Sequence, residues 1–279
     1  MRLVLLTMLA LVAVSLGFPG VAQASPGCKT GSAEYERAQF GLDLGLTAGS
    51  MGASAIGLYG VTQAKGGQWV PAIDRRVPVD SARGTRTASD VFTFGAYGLA
   101  VGWAVYATVR CRNEYTLKRS RATPLMELVW PWMWTVGVTE FTKSFAGRPR
   151  PYTRGSMGIS EKDDDYRSFF SGHTSTASAV MTVTVSSGLR FAPRLARPLP
   201  RVLISAGAGL SYGFLSGIMR VQAARHHWSD VLVGASVGTA IGLLPIATEL
   251  FGRKRNGELR TLRASSWPGG RGGSISGRF

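Results

Sequence analysis

A chain of 279 residues is long enough for one domain with a sizeable core, or for two small domains. It carries 32 Lys and Arg against 16 Asp and Glu, a net charge of +16, so we expect an anionic partner: nucleic acid, a membrane surface or a phosphorylated substrate. No zinc-finger spacing or aromatic RNA-binding signature is present, which disfavours nucleic acid, and the long apolar runs favour a membrane.

The N-terminus has the three regions of a secretory signal peptide. Arg2 precedes an apolar run from Leu3 to Leu16, and helix-breaking residues then lead to Ala22-Gln23-Ala24, a small-x-small cleavage pattern. We therefore predict a signal peptide over residues 1–24 and a short segment over 25–39. The alternative is an uncleaved anchor helix, for which the run is short. In both cases the chain is exported or inserted.

Six apolar segments follow, each about long enough to cross a bilayer as a helix. They are Phe40 to Thr62, Val91 to Val109, Pro124 to Phe141, Phe169 to Leu189, Val202 to Met219 and Val231 to Phe251. Strand signals are few, so the predicted fold is all-α, a six-helix bundle over residues 40–251. Asp43, Glu127 and Glu140 lie inside these segments, and the mean hydropathy is only +0.08. A soluble helical bundle is therefore kept as an alternative to a membrane-embedded one. The basic Gly/Arg/Ser-rich tail, 252–279, is expected to be disordered or surface-bound.

The basic residues favour one topology. Arg and Lys are concentrated in the connections after the second and fourth segments and after the sixth, which predicts that these regions share the cytoplasmic face. The connections after the third and fifth segments would then face the periplasm. A cleaved signal peptide would leave residues 25–38 outside, which conflicts with six crossings. The first segment then does not cross, or the whole bundle lies outside the membrane.

Cys28 and Cys111 are the chain's two cysteines. An even pair in an exported protein indicates a disulfide, and two unrelated thiols are the alternative. The cysteines can pair if the bundle is wholly exported, but not if Cys111 is cytoplasmic.

The three histidines lie in two polar clusters at segment boundaries. Ser171-Gly172-His173 opens the fourth segment, and His226-His227 precedes the sixth. The basic stretch from Lys143 to Pro151 closes the third segment. In the predicted topology all three regions lie on one face, so we expect them to converge at one end of the bundle.

These residue types suit a phosphoryl group. Lys143, Arg150 and Arg220 supply fixed positive charges, and the planar guanidinium of Arg matches phosphate oxygens. Ser171 and Gly172 stand where a helix begins, so free backbone N–H groups and the helix dipole favour an anion there. Phosphoryl transfer requires this kind of charge stabilisation.

The imidazoles of His173 and His226 are suited to act as general acid and nucleophile. Asp230 lies four residues after His226, a spacing suited to fixing the tautomer of that ring. No cluster of carboxylates or thiols in the sequence suggests a metal cage, so we predict no metal and no cofactor.

In order and spacing, these residues resemble the three motifs of the type 2 phosphatidic acid phosphatase (PAP2) and vanadium haloperoxidase superfamily: Lys-x6-Arg-Pro, Pro-Ser-Gly-His and Ser-Arg-x5-His-x3-Asp. The matching residues are Lys143 with Arg150-Pro151, Ser171-Gly172-His173, and Arg220 with His226 and Asp230.

The resemblance implies a metal-independent phosphatase in which His226 attacks phosphorus, Asp230 orients it, and His173 protonates the leaving alkoxide and later activates water. The phosphoryl oxygens would be held by Lys143, Arg150, Ser171, Gly172 and Arg220. Expected substrates are phosphomonoesters, above all lipid phosphates such as phosphatidic acid, or polyprenyl diphosphates. The expected location is the inner membrane with a periplasm-facing site, or export to the periplasm. The alternatives are a non-catalytic lipid-binding membrane protein and a vanadate-dependent haloperoxidase.

Two positions depart from the motifs: Phe170 replaces Pro and Met219 replaces Ser. Both flank the chemistry, so we expect a changed pocket shape rather than lost activity. His227 lies outside the motif spacing and is expected to be non-catalytic.

Four further regions near the motifs have less defined roles. Arg148, Arg167 and Arg225 could either support the site residues from behind or be surface charges, and their positions in the sequence do not distinguish these two roles. The run Asp163-Asp164-Asp165 is read as a solvated loop, because consecutive residues rarely all face one metal ion.

Overall fold

In a computed structural model, the chain folds into a bundle of helices that run up and down between two ends. The structure describes residues 28, 33–59, 74, 83–115, 118–155, 163–192, 195–255, 263–266 and 273–276. The predicted signal peptide, residues 1–24, lies outside the described residues.

Six α-helices form the described bundle, one for each apolar segment, which confirms the predicted all-α fold. They are α1 (Ala33–Tyr59), α2 (Arg83–Cys111), α3 (Thr123–Ala146), α4 (Gly172–Leu189), α5 (Pro198–Gln222) and α6 (Trp228–Arg255). Short 3₁₀ turns cover Lys118–Ala122, Pro151–Gly155 and Asp163–Tyr166. Five of the six helices begin before the apolar segment that predicted them, because polar residues can also form the first turns of a helix. Beyond α6, strands β1 (Arg263–Ser266) and β2 (Gly273–Ser276) pair antiparallel.

Helix α4 lies at the centre of the bundle. It packs against α5 and α6 most extensively and also against α3 and α2. Of its 18 residues, 14 are buried, and many are Ser or Thr. Several of their hydroxyls are hydrogen-bonded within the helix, as when Thr182 donates to the carbonyl oxygen of Ser178 at 2.7 Å and Thr184 donates to that of Val180 at 2.8 Å. A helix of moderate polarity can therefore occupy the core.

Two rows of glycines let the neighbouring helices approach α4 closely. Gly209, Gly213 and Gly217 recur every four residues on α5, and Gly234, Gly238 and Gly242 do the same on α6. A Cβ at position 238 would lie 2.0 Å from the carbonyl oxygen of Ser175, a separation that no side chain tolerates. Small residues at this spacing are typical of helices packed in membranes.

Three helices are long and apolar enough to cross a membrane: α2 from Gly84, α5, and α6 as far as Leu250. They carry exposed apolar side chains, among them Val91, Phe94, Val105, Val109, Leu199, Leu203 and Leu232. The other three described helices do not meet this criterion. The reason is their composition, since α1 and α3 contain acidic residues and α4 is rich in Ser and Thr. Length and composition therefore support three of the six predicted crossings.

One end of the bundle is held together by a buried ion network and a disulfide. Arg190 pairs with Glu127 and with Glu249, and Arg201 pairs with Glu249 at 2.8 Å, all with nearly buried side chains. These four residues tie the adjacent ends of α3, α4, α5 and α6. At the same end, Cys28 and Cys111 form a disulfide with their Cα atoms 5.6 Å apart. The bond lies among the basic connections.

Candidate active site

The opposite end of the bundle contains a cavity of about 410 Å³. Its walls come from the first turns of α2 and α4, the last turns of α3 and α5, and the connections between helices. Among the described residues, the lining is charged or polar apart from Gly172: Arg86, Asp90, Glu140, Lys143, Arg150, Asp164, Arg167, His173, Arg220, Arg225 and His226. Most of the residues that the sequence motifs predicted therefore meet here, and Ser171 and Asp230 are not among the lining residues.

His226 stands in the turn between α5 and α6, where it is 4 % exposed. Its Nδ1 lies 2.8 Å from the carbonyl oxygen of Ser168. Because a carbonyl oxygen only accepts, Nδ1 carries the ring proton and the neutral ring has its lone pair on Nε2. The nitrogen suited to attack an electrophile is therefore Nε2.

Asp230 acts on this histidine indirectly in the structure. Its Oδ2 lies 3.6 Å from Nδ1 of His226, beyond hydrogen-bond distance. The same carboxylate accepts from the Ser168 hydroxyl at 2.5 Å and from the backbone N–H of His227 at 2.8 Å. Asp230 thus holds Ser168, and Ser168 holds the imidazole. Its role in a reaction stays a prediction.

Arg148 is the main residue whose role the sequence left undecided. It is 1 % exposed and lies between two carboxylates, pairing with Asp230 and, at 2.6 Å, with Asp74. It also donates to the Ser229 hydroxyl at 2.7 Å. Asp74 comes from the connection between α1 and α2, and it accepts from the Ser229 hydroxyl at 2.6 Å. Arg148 therefore belongs to a buried charge chain behind His226 and does not line the cavity.

The three predicted phosphate-binding cations, Lys143, Arg150 and Arg220, are called the basic trio below. Each is paired with a carboxylate in the unliganded site. Lys143 lies 2.7 Å from Glu140, Arg150 lies 2.7 Å from Asp164, and Arg220 pairs with Asp90. Arg167 shares Glu140 at 2.6 Å, and Arg225 stacks on the ring of Tyr152 at 5.0 Å. An anion entering the cavity would lie beside these three cations and share their positive charge with the carboxylates.

The start of α4 places His173 and Gly172 in the cavity wall. Nε2 of His173 lies 3.0 Å from Oδ1 of Asp90. A Cβ at Gly172 would lie 3.1 Å from the ammonium nitrogen of Lys143, so the absent side chain leaves room for that cation. Ser171 caps the helix, accepting from the Thr174 N–H at 3.4 Å, and is fully buried. Ser171 is absent from the described lining of the cavity, and its assignment to phosphate binding stays a prediction.

Both cavity histidines are neutral in the unliganded site. Burial, followed by the positive charges of the basic trio, lowers the pKa of His226 well below 6.5. Burial and the charge of Arg220 lower the pKa of His173 to about 3, although Asp90 opposes the shift. A neutral His226 is ready to act as a nucleophile at neutral pH. His173 requires added negative charge before it can hold a proton.

The remaining predicted positions lie around the site. His227 is buried, and its Nε2 lies 3.1 Å from the carbonyl oxygen of Pro149, a structural contact. Phe170 is buried, and Met219 packs against the apolar cluster that includes Phe92 and Tyr212.

The acidic run is only partly the solvated loop that the sequence predicted. Asp164 is exposed but pairs with Arg150, and Asp165 accepts from the Tyr152 hydroxyl. These contacts attach the 163–166 turn to the basic trio.

Fold and site together define a helical protein with a cavity that is lined mainly by Arg and Lys side chains and contains two imidazoles, an arrangement suited to phosphoryl transfer. Residues 124–251 match the family model of the PAP2 superfamily. This match confirms the predicted resemblance to that superfamily, which is of the phosphatase type. No curated protein and no solved structure matches the chain.

Proposed function

We propose that the protein is a metal-independent phosphatase that hydrolyses phosphate monoesters through a phosphohistidine intermediate on His226. The observation that carries this proposal is the meeting of His226, His173 and the basic trio in one cavity. The tautomer imposed by Ser168 supports it further, because it leaves the lone pair of Nε2 available. The positive charges of the basic trio would stabilise the negative charge on the oxygens of the phosphoryl group during its transfer.

The reaction would proceed in two displacements. As the anionic substrate binds, His173 takes up a proton. In the first displacement, Nε2 of His226 forms a bond to phosphorus while the bond from phosphorus to the leaving oxygen breaks, and His173 gives its proton to that oxygen. In the second, His173 takes a proton from water while the water oxygen bonds to phosphorus and the N–P bond breaks. Inorganic phosphate then leaves, His173 gives up the proton that it gained at binding, and both imidazoles return to their neutral forms.

We propose lipid phosphates as the preferred substrates, such as phosphatidic acid or a polyprenyl diphosphate. The described lining of the cavity suits a head group alone, because its side chains are polar or charged. Apolar surface begins directly beside it: Phe94 on α2 and Phe145 on α3 are 63 % and 60 % exposed. Acyl or prenyl chains would lie along these helix faces while the phosphate occupies the cavity.

We place the protein in the cell envelope, in contact with the membrane. Of the two predicted locations, the Cys28–Cys111 disulfide favours export of the bundle, because disulfides persist in oxidising compartments. The bond lies among the basic connections that the positive-inside rule would assign to the cytoplasm. Alkaline extraction of washed membranes tests this placement: release supports a peripheral exported bundle, and a requirement for detergent supports a spanning one.

The test of the function is phosphate release from phosphatidic acid and from a soluble aryl phosphate, with a chelator present. We expect release by the wild type and loss in His226→Ala. The matched control is His227→Asn, which alters the neighbouring ring outside the cavity and should retain most of the activity. Acid-labile, alkali-stable phosphate on the wild-type chain would identify the intermediate. Absence of release from both esters, or equal release by the wild type and His226→Ala, would contradict the proposal.

A further inference from the structure

Asp90 lies in the cavity although no motif contains it. It stands on α2, outside the region 124–251 that matches the superfamily. Its Oδ1 lies 3.0 Å from Nε2 of His173 and also accepts from the guanidinium of Arg220. One carboxylate oxygen thus contacts both the predicted general acid and one phosphate-binding cation.

The contact fixes the tautomer of His173. Since a carboxylate only accepts, Nε2 carries the proton in the neutral ring, and the lone pair is on Nδ1. When the ring takes up a second proton, that proton is on Nδ1, while Nε2–H stays bound to Asp90. The proton available for a leaving oxygen is therefore the one on Nδ1.

The charges around His173 explain why such a partner is needed. Arg220 on α5, His226 in the turn before α6 and Lys143 on α3 all disfavour a positive charge on this ring, and Asp90 on α2 favours it. The imidazolium required of a general acid is thus opposed by the cations that bind phosphate. The carboxylate and the incoming phosphoryl group supply the negative charge that offsets them.

Resting on the proposed phosphatase function, we propose that Asp90 is a positioning residue of the reaction. It holds His173 in the Nε2–H tautomer and, together with the charge of the substrate, stabilises the imidazolium whose Nδ1 proton passes to the leaving oxygen. This proton moves as the bond from phosphorus to that oxygen breaks and the N–P bond to His226 forms. The carboxylate itself contacts Arg220 and His173, and it exchanges no proton with substrate.

The first test varies the leaving group. An alkoxide needs a proton to leave, whereas nitrophenolate does not, so Asp90→Asn should lower kcat for an alkyl phosphate about 10- to 100-fold, part of the range for general acid catalysis. The burst of nitrophenolate from an aryl phosphate should keep its rate. The matched control is Asp164→Asn, which removes a pocket carboxylate paired with Arg150. It should change KM for both esters alike. A fall in the rate of the nitrophenolate burst in Asp90→Asn as large as the fall in kcat for the alkyl phosphate would contradict the proposal.

The second test needs no turnover. The chain has three histidines, so histidine-labelled full-length protein gives three ring systems in an NMR titration, assigned with His→Asn variants. In Asp90→Asn we expect the His173 titration to move to lower pH, with His227 unchanged. An unmoved His173 titration, or a wild-type ring with its proton on Nδ1, would overturn the pairing. If wild-type protein released no phosphate, the proposed function would fail, while this readout would still show whether Asp90 pairs with His173 and sets its tautomer.

Discussion

The carbonyl oxygen of Ser168 lies 2.8 Å from Nδ1 of His226 and determines which nitrogen of that ring is free. Ser168 in turn donates its hydroxyl to Asp230, and Asp230 pairs with Arg148. The imidazole is therefore positioned by a series of buried contacts that begins at Arg148, which does not line the cavity, and passes through Asp230 and Ser168. This arrangement leads to the first prediction.

Replacing Arg148 should destabilise the protein strongly. In Arg148→Met, Asp74 and Asp230 would lose the cation between them, and breaking a buried ion pair costs about 3–5 kcal/mol of the free energy of unfolding. Chemical denaturation measures the loss. The control is Arg225→Met, which removes a cation stacked on Tyr152 and should cost about 1 kcal/mol or less. Similar losses in the two variants would show that the buried pairing is unimportant.

The acid limb of the pH profile of kcat/KM should lie below pH 6.5, because the pKa of His226 is lowered well below that ordinary value. Lys143→Met removes one of the charges that lower it, so the limb should move to higher pH. The ionisation of the substrate is the same for both proteins and cancels in the comparison. Lys118→Met, at the other end of the bundle, is the control. A limb that does not move would argue against His226 as the titrating group.

The free energy of unfolding should also depend on pH through His226. Because the pKa of His226 is lower in the folded protein than in the unfolded chain, the unfolded chain binds the proton first as the pH falls below 6.5. The free energy of unfolding should therefore decrease with falling pH in this range. In His226→Asn the decrease should be smaller, as measured by denaturation at pH 7 and pH 5. Identical pH dependence in both proteins would contradict the lowered pKa.

Gly172→Ala should weaken substrate binding with little effect on stability. The new Cβ would lie 3.1 Å from the ammonium nitrogen of Lys143, which is the end of a flexible side chain and can shift. We expect KM for a phosphate ester to rise about three- to tenfold, roughly 1 kcal/mol of binding. Gly238→Ala offers the contrast, since its Cβ would meet the backbone of Ser175 at 2.0 Å and should lower Tm sharply. The reverse pattern would contradict this reading of the packing.

Phe145→Ser should separate lipid from soluble substrates. If chains of the substrate lie on the exposed face of α3, loss of this ring removes about 1.5–3 kcal/mol of apolar contact, and KM for phosphatidic acid in vesicles should rise tenfold or more. KM for an aryl phosphate should stay constant. Leu199→Ser removes an apolar side chain of similar exposure at the opposite end and serves as control. Equal effects of the two substitutions would point to general membrane contact instead.

Loss of the disulfide should reduce stability but leave kcat unchanged. The bond closes a loop with a sequence separation of 83 and lies at the end of the bundle opposite the cavity. In the double variant Cys28→Ala, Cys111→Ala we expect the free energy of unfolding to fall by about 2–4 kcal/mol. Thermal unfolding of the wild type with and without reductant should show the same difference. Two titratable thiols in unreduced, denatured protein would contradict the pairing.

The sequence alone predicted the helical fold and the residues that we propose for phosphate chemistry. Each apolar run is long enough to form a helix, so the helices can be predicted from the runs themselves. His173, His226 and the basic trio were recognisable because their spacing matches the motifs of the superfamily. Both signals are local, so neither requires knowledge of how the helices pack.

Only the tertiary structure shows which residues contact the proposed catalytic groups. Asp90 looks like a charge at the edge of an apolar segment, Arg148 like one of several arginines, and Ser168 like a loop residue. Each acquires its role through a contact with a residue 58 to 130 positions away in the chain. Such contacts leave no periodicity in the sequence, because they arise only when α2, α3, α4 and α5 pack around one cavity.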